Sequence, residues 1–219
     1  MLSLALILGL SYLLGAIPFS LVVARARGVD LRAHGSGNAG ATNAMRVMGK
    51  GPGLLVFLLD AAKGWAATAL ISQIRVGGET LAFLGEWAPT WAAVLAGAAA
   101  MVGHVVTVWG ALFFGSRKGG KGVATGAGML LGLIPVAVGV AFALFAGIVW
   151  ATRYVSLGSI VAAVSLPVTL GAQQMTGSTV PPPIWAFALV VPFFIVWTHR
   201  ANVRRLLDGT ESRIGGTPA

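Results

Sequence analysis

Three short polar stretches contain residue types that could bind phosphate compounds and catalyse their reactions. They are residues 36–43 (SGNAGATN), 119–125 (GGKGVAT) and 199–211 (HRANVRRLLDGTE). Each combines glycine, hydroxyl or amide side chains and, within it or a few residues away, positive charge. Glycine lets backbone N–H groups approach an anion, and arginine can hold a phosphate through two parallel hydrogen bonds. If the three stretches lie on one side of a membrane, they define a site for phosphate chemistry at a lipid surface.

The first stretch supplies flexible backbone and polar side chains just before a basic residue. The same asparagines and serine suit an ordinary turn that caps the next helix, and the stretch taken alone fits both interpretations. In the phosphate interpretation, the residues expected to contact substrate are Ser36, Gly37, Asn38, Thr42, Asn43 and Arg46.

The second stretch follows Lys118 and leads directly into an apolar helix. A helix N-terminus presents N–H groups and the positive end of its dipole, so Gly120 and Lys121 are placed to hold an anion. The spacing is not that of a P-loop. A basic loop that only sets membrane topology would explain the lysines but not the three glycines, so we favour an anion site.

The third stretch places His199 and Asn202 three residues apart, which predicts that they share one face of a helix. A basic helix that binds acidic lipid headgroups would account for Arg204 and Arg205. It would not account for the histidine and the asparagine, because polar side chains at a membrane edge usually have a functional role.

Other polar side chains lie within the apolar segments. Ser156 and Ser159 fit either helix capping or a contact with a substrate hydroxyl. His104 fits a core histidine bonded to a backbone carbonyl better than a catalytic one, and it is kept as a candidate substrate contact. Asp60 and Lys63 are three apart in one predicted helix and are expected to neutralise one another.

The composition is that of an integral membrane protein, since 57% of the 219 residues are hydrophobic and only 10% are charged. The net charge of +9 indicates cytoplasmic loops and not nucleic-acid binding. The lack of cysteine excludes disulfides, and no His, Asp or Glu cluster suits a metal, so we expect no metal and no cofactor. We predict a single membrane domain over residues 1–208, followed by a short cytoplasmic tail, 209–219.

Apolar length predicts an all-α polytopic fold, because about 20 helical residues cross a bilayer. Clear candidate spans are 2–23, which is interpreted as a helix and not a cleaved signal peptide, and 53–74, 90–114, 155–174 and 184–198. The stretch 122–152 is too long for one ordinary crossing and contains Pro135. We favour two short helices there, broken near the proline into a hairpin, over one long tilted helix.

Basic residues fix the predicted orientation, because they concentrate in cytoplasmic loops. Arg25, Arg27, Arg46, Lys121 and Arg204 then lie inside, together with their basic neighbours. The prediction is about seven crossings with the N-terminus outside and the C-terminus in the cytoplasm. All three polar stretches fall on the cytoplasmic side.

At these residues the chain resembles the bacterial acyl-phosphate-dependent glycerol-3-phosphate acyltransferases, the PlsY family, over essentially its whole length. Two departures are visible: Thr107 stands where the family usually has proline, and either Arg117 or Lys118 takes the family's basic position. The matching positions are residues 36–43 with Arg46, Gly49 and Lys50, then Gly103, His104 and 119–125, then His199, Arg200, Asn202, Val203, Arg205, Leu206, Gly209 and Glu211.

The resemblance implies transfer of an acyl group from acyl phosphate to the 1-hydroxyl of glycerol 3-phosphate. The products would be lysophosphatidic acid and inorganic phosphate, in the first acylation step of phospholipid synthesis at the bacterial plasma membrane. We expect a monomer that works at a lipid surface. Ser36, Arg46 and Lys121, with the N–H groups near Gly37 and Gly120, would hold the acyl phosphate. Glycerol 3-phosphate would be held by His199, Asn202 and Lys118, with Ser156 or Ser159 as a further contact.

Two further function classes fit parts of the sequence. A transporter or channel for a small organic anion would also have broken helices, but the polar residues lie at the inner interface and the two halves are not repeats. A structural lipid-binding protein leaves the glycine-rich loops unexplained. The proton acceptor stays open between His199 and the phosphate of the donor.

Overall fold

The computed structural model describes residues 1–77 and 81–215, and all regular elements in that part of the chain are helices. The chain forms two compact units, Met1–Gly132 and Leu133 onwards. This agrees with the predicted all-α class. The boundary predicted at residue 208 stays a prediction.

The first unit contains the helices that precede the break before Pro135. Two 3₁₀ turns, Ile71–Gln73 and Ala82–Leu84, lie between its fourth and fifth helices. The helices are α1 (Leu2–Gly15), α2 (Phe19–Ala26), α3 (Ala41–Met48), α4 (Lys50–Ala69), α5 (Ala88–Val105), α6 (Val108–Phe114) and α7 (Val123–Leu131).

The second unit is formed by four further helices. They are α8 (Pro135–Thr152), α9 (Val155–Met175), α10 (Pro182–Thr198) and α11 (Arg200–Leu207). Only two residues separate α8 from α9, and Arg153 takes a left-handed backbone conformation with φ of 64° at this turn. Residues beyond α11 pack back on this unit, because the Ile214 N–H donates to the Arg153 carbonyl.

In the described part of the chain, five stretches of helix are long and apolar enough to cross a membrane: Leu2–Ala26, Lys50–Gln73, Ala88–Val105, Pro135–Thr152 and Val155–Met175. A sixth is possible if α10 and α11, which meet at an angle of 64°, count as one span. The chain is therefore a multi-pass membrane protein. Seven crossings with the N-terminus outside stay a prediction.

The segment 122–152 is broken before Pro135, as predicted, and is not one long helix. Helix α7 ends at Leu131 and α8 begins at Pro135, because proline has no N–H and is favoured in the first turn of a helix. The prediction of two short helices is wrong for the second one. Helix α8 has 18 residues, which is long enough to cross by itself, whereas α7 has nine.

The predicted continuous helix over 90–114 is wrong, because the chain breaks between α5 and α6. Thr107 causes the break: its hydroxyl donates to the Ala16 carbonyl and accepts the Gly110 N–H at 2.9 Å. It thereby caps α6 and satisfies a carbonyl that the end of α1 leaves without a helical partner.

Two helix seams in the first unit are closed by glycine. A methyl group built on Gly64 of α4 would lie 2.0 Å from the Thr125 carbonyl oxygen of α7, and one on Gly128 would lie 1.9 Å from the Ala61 oxygen. Backbone therefore packs directly on backbone between α4 and α7, as small residues allow in membrane helices.

The seam between α1 and α5 is built in the same way. Methyl groups on Gly15 and Gly103 would lie 2.1 Å from the Ala100 oxygen and 2.3 Å from the Tyr12 oxygen. These seams fix the ends of α5 and α7, where the second polar stretch is attached.

Candidate functional site

Asn43 of α3 organises the loop that carries the first polar stretch. Its side chain is only 1% exposed, and Oδ1 accepts the Ser36 N–H at 2.8 Å. Its Nδ2 donates to the carbonyls of Leu31 and His34 at 3.0 and 3.1 Å. The amide that the sequence predicted to touch substrate therefore holds the loop backbone, while the Ser36 side chain is exposed.

The other predicted residues of this stretch surround the start of α3. Asn38, Thr42 and Arg46 are half-buried, and Gly40 is the N-cap residue of the helix. The Gly37 N–H closes a turn on the His34 carbonyl at 3.2 Å. This N–H group forms a hydrogen bond within the protein, and the predicted contact of N–H groups near Gly37 with phosphate stays a prediction.

Arg32 joins the first polar loop to the segment that leads into the second. Its guanidinium donates to the carbonyls of Phe114, Ser116 and Lys118 at 2.7, 3.1 and 3.1 Å. No sequence pattern pointed to this role, because an arginine in a basic loop already has an explanation as a topology signal.

The second polar stretch is attached to the C-terminal end of α5 by backbone hydrogen bonds. The Gly119 N–H donates to the Val105 carbonyl at 2.9 Å, and the Gly120 N–H donates to the His104 carbonyl at 3.1 Å. The Gly120 N–H is thus bonded within the protein, and the predicted contact of N–H groups near Gly120 with phosphate stays a prediction. Lys118, which is exposed, lies opposite Val106 in an antiparallel bridge.

The first two polar stretches lie next to each other in the first unit. A methyl group on Gly120 would be 3.0 Å from the Ala39 carbonyl oxygen, and one on Gly40 would be 3.9 Å from the Gly120 Cα. Half-buried Lys121 follows, and Gly122 caps α7 in a left-handed conformation with φ of 84°. The first turn of α7 thus directs its N–H groups and dipole towards this junction, which favours an anion there.

His104 lies beneath this junction and is 7% exposed. Its Nδ1 is 3.5 Å from Asp60 Oδ1, and Asp60 forms the predicted ion pair with Lys63 at 2.7 Å. His104 is therefore a core histidine beside a carboxylate, where the sequence favoured a carbonyl partner.

In the second unit, Glu211 brings together side chains from two helices. Its Oε1 accepts hydrogen bonds from Ser156 of α9 at 2.7 Å and Asn202 of α11 at 2.6 Å, and its Oε2 accepts one from Arg205 at 2.7 Å. Glu211 was not among the predicted site residues, although it ends the third polar stretch. The signal that could have identified Glu211 was its position as an acidic residue after a basic helix.

Glu211 is an ionised carboxylate in this network. Burial raises its pKa. This is outweighed by the hydrogen bonds from Asn202, Ser156 and Arg205 and by the positive charge of Arg205, so the pKa lies below its ordinary value of 4.5. The carboxylate thereby orients the hydroxyl of Ser156 and the amide of Asn202.

The two serines of α9 do not cap it, so the capping interpretation is wrong. The N-cap residue is Tyr154, and no side chain caps the helix. Ser156 bonds Glu211, whereas the Ser159 hydroxyl donates to the Val155 carbonyl of its own helix at 2.9 Å.

His199 lies at the bend between α10 and α11 and is 3% exposed. His199 is the N-cap residue of α11, and its carbonyl accepts the Val203 N–H, so Asn202 follows it within the first turn of the same helix. His199 Nδ1 is 2.8 Å from the Ile195 carbonyl oxygen, an acceptor that places the ring proton on Nδ1. The neutral ring then has its lone pair on Nε2, the form that a general base requires.

Among residues 1–77 and 81–215, no three His, Cys, Asp or Glu side chains cluster in a way that could hold a metal ion. The chemistry available from the described side chains is anion binding by Arg46, Lys118 and Lys121 in the first unit, and proton transfer or hydroxyl orientation by His199 and Ser156 in the second.

Comparisons with known proteins agree along the whole chain. The family model described as glycerol-3-phosphate acyltransferase matches residues 5–209. A relative with that name from Synechococcus sp. (strain CC9902) is 42% identical over 98% of this chain and 97% of its own length. One from Geobacter sulfurreducens is 41% identical over 97% of this chain and 98% of its own length.

A solved structure is also similar. The crystal structure of PlsY (YgiH), an integral membrane glycerol 3-phosphate acyltransferase, in its glycerol 3-phosphate form has a TM-score of 0.79 at 38% identity, covering 97% of this chain and 96% of that one. Its lysophosphatidic acid form has a TM-score of 0.78 at 37% identity, with the same coverage.

Proposed function

This chain belongs to the glycerol-3-phosphate acyltransferase family, and on that basis we propose that it transfers an acyl group from acyl phosphate to the 1-hydroxyl of glycerol 3-phosphate. The products are lysophosphatidic acid and inorganic phosphate. This reaction is the first acylation of phospholipid synthesis, and it takes place at the cytoplasmic face of the bacterial inner membrane.

The main structural support for this proposal is the junction between the first two polar stretches. Both substrates contain phosphate. At the junction, the start of α3 lies beside Gly120, which directly precedes Lys121 and the N-terminus of α7, and α3 carries Arg46 in its last turn. Such an arrangement stabilises the charge that develops on a leaving phosphate. An acyl phosphate is already activated, so this site needs no enzymic nucleophile, and positioning of the hydroxyl supplies much of the rate.

The reaction is a direct displacement at the acyl carbon. The 1-hydroxyl oxygen of glycerol 3-phosphate attacks the carbonyl carbon, the bond from that carbon to the phosphate oxygen breaks, and inorganic phosphate leaves with the bonding electrons. Within the first unit, Ser36, Arg46 and Lys121 hold the donor, and Lys118 contacts glycerol 3-phosphate. The hydroxyl proton goes to the donor phosphate. The contacts expected from Ser156, His199 and Asn202 of the second unit stay predictions.

An apolar groove on the first unit suits the acyl chain. It has a volume of about 1050 Å³ and is lined by side chains of α1, α2 and α6 and of the link between α1 and α2, among them Leu13, Ile17, Trp109 and Phe113. Arg25 also lines it and lies 6.0 Å from the Phe114 ring. A fatty acyl chain could lie here with its charged end near the arginine.

The decisive experiment compares acyl donors with the purified enzyme. Acyl phosphate should support lysophosphatidic acid formation with one phosphate released per product, whereas acyl-CoA and acyl carrier protein should not. Turnover with acyl-CoA and none with acyl phosphate would refute the proposed donor.

The site assignment is tested by single substitutions. Arg46→Ala and Lys121→Ala should each lower kcat/KM by about 100-fold, the scale of losing one preorganised donor in a transition state. Arg27, exposed at the end of α2, provides the matched control, and Arg27→Ala should change kcat/KM less than twofold. Near-normal rates for both site variants would show that the donor binds elsewhere.

The proposed orientation has a clean test, because the chain contains no cysteine. Single cysteines at Asn38, Lys121 and His199 should react with a membrane-impermeant maleimide only when the cytoplasmic face is open. Labelling of any one of them from the other face would contradict the proposed cytoplasmic location of that residue.

A further inference from the structure

Three ionisable side chains are buried together among the membrane helices of the first unit. Asp60 and Lys63 of α4 are 2% and 3% exposed, and His104 of α5 is 7% exposed. Burying charge within a bilayer is costly, and such residues usually have a specific role. None of the three is used in the reaction as proposed above.

Lys63 connects this cluster to the break between α1 and α2. Its Nζ lies 2.7 Å from Asp60 Oδ1 and donates to the Ile17 carbonyl at 2.9 Å. It also lies 5.6 Å from the centre of the Phe19 ring, within the range of a cation–π contact. The ammonium group is thus held from three directions, which fixes the position of the Asp60 carboxylate.

His104 connects the cluster to the second polar stretch. At one end its Nδ1 faces Asp60 Oδ1 at 3.5 Å. At the other end, a methyl group on Gly120 would lie only 2.1 Å from Nε2 and 2.7 Å from Cε1. The imidazole therefore fills the space between the buried carboxylate and the backbone of Gly120, directly before Lys121.

We propose that Asp60, Lys63 and His104 form a positioning cluster that fixes the segment 119–121, and through it the substrate phosphate bound there. Asp60 and Lys63 hold the ring, and the ring supports Gly120 from below. This inference rests on the proposed phosphate site at the junction. None of the three residues is required to touch substrate.

Two substitutions of His104 test the contacts of the two ring nitrogens separately. A glutamine amide reaches the position of Nε2, whereas an asparagine amide reaches only that of Nδ1. His104→Asn should raise the KM for acyl phosphate about fivefold, the scale of one lost buried contact, with kcat changed less than twofold. His104→Gln should restore most of the affinity, because it still reaches Gly120.

Asp60→Asn tests the other end of the cluster and should raise the same KM to a similar extent. The control is Thr68→Val on the same helix, which removes a buried hydroxyl (3% exposed) away from the 119–121 segment and should leave both KM values unchanged. A purely structural role would lower the melting temperature and the active fraction while leaving KM constant.

A double-mutant cycle covers the case in which Asp60→Asn does not fold. Gly120→Ala should raise KM because the methyl group meets the His104 ring. Adding His104→Ala makes room for that methyl, so the double variant should be no worse than Gly120→Ala alone. Additive losses would mean that the ring does not support Gly120 and would overturn the proposal, as would unchanged KM values in His104→Asn.

The two proposals fail in different ways. If the wild-type enzyme does not use acyl phosphate, the donor assignment fails before any variant is made, and the same series is then run with the donor it does use. If KM rises for glycerol 3-phosphate alone, the positioning cluster is supported and the assignment of the two phosphates is reversed.

Discussion

The polar loops of the first unit and the Glu211 network of the second are held in place by different partners. In the first unit, Asn43 and Arg32 bond backbone carbonyls and N–H groups. In the second, Glu211 bonds the side chains of Ser156, Asn202 and Arg205. Backbone partners do not titrate in the physiological range, whereas a carboxylate does, so the two regions should respond differently to substitution and to pH.

The two regions also differ in what lies beneath them. The loops of the first unit rest on the Asp60–Lys63 ion pair, with both side chains almost fully buried. In the Glu211 network, Arg205 is 38% exposed, so water screens its charge. Removing one partner should therefore cost far more in the first unit than in the second.

The largest effect is expected from Asp60→Ala. It leaves the Lys63 ammonium buried without its carboxylate, a change that costs about 3–5 kcal/mol. The melting temperature in detergent, followed by circular dichroism, should fall steeply. The double variant Asp60→Leu/Lys63→Met should recover much of the loss, because a buried pair can be replaced by apolar side chains. If Asp60→Ala alone were as stable as Thr68→Val, the expected larger cost of losing a partner in the first unit would be contradicted.

Asn43→Asp should have the next largest effect. The carboxylate keeps an acceptor for the Ser36 N–H but loses both donations to the Leu31 and His34 carbonyls. Leaving such buried groups unpaired should cost about 2–3 kcal/mol. Activity should fall further than stability, because Ser36 is displaced. Wild-type kcat/KM in this variant would show that the loop does not need Asn43.

A glycine pair compares the packing of the two units. Gly64→Ala should destabilise the protein by about 1–3 kcal/mol, since the methyl group meets the Thr125 carbonyl oxygen. Gly139 of α8 is the matched control, because a methyl group there meets no atom within 4 Å. Gly139→Ala should be neutral or stabilising, as helix propensity predicts. Equal destabilisation by both would mean that the α4–α7 seam is not tight.

The smallest effect is expected from Glu211→Gln, at about 1 kcal/mol near neutral pH because solvent screens Arg205. Its pH dependence is the informative part. The pKa of Glu211 is lowered on folding, so its stabilisation is complete above pH 4.5 and is lost as pH falls through the folded-state value. Subtracting the Glu211→Gln melting profile from that of the wild type should therefore leave a difference that shrinks below pH 4.5. A difference that is constant with pH would mean that the carboxylate is not the linked group.

Local features of the sequence were enough to predict much of the fold. The apolar run at 155–174 matches α9, and Pro135 marks a real helix start, because length and proline chemistry act within a few residues. The break at Thr107 could not be predicted in this way. It depends on a hydrogen bond to Ala16, 91 residues away, which local pattern does not contain.

The site shows the same division between local and distant information. The glycine and lysine pattern singled out the segment beside α7, and the structure places the first two polar stretches next to each other. Their contact with substrate stays a prediction. Arg32 and Glu211 were missed as organising residues. The partners of Arg32 lie 82 to 86 residues away in the sequence, and Ser156 lies 55 residues from Glu211. No spacing rule connects positions that far apart.

The glycine seams of the first unit also restrict how a lipid substrate can move. Between α4 and α7, and between α1 and α5, backbone atoms touch with no room for even one added methyl group. A hydrocarbon tail cannot slide between either pair of helices. Under the proposed reaction, the acyl chain is therefore expected to use the open apolar groove beside α1, α2 and α6 and not these seams, and substitutions in that groove should alter which chain lengths the enzyme accepts.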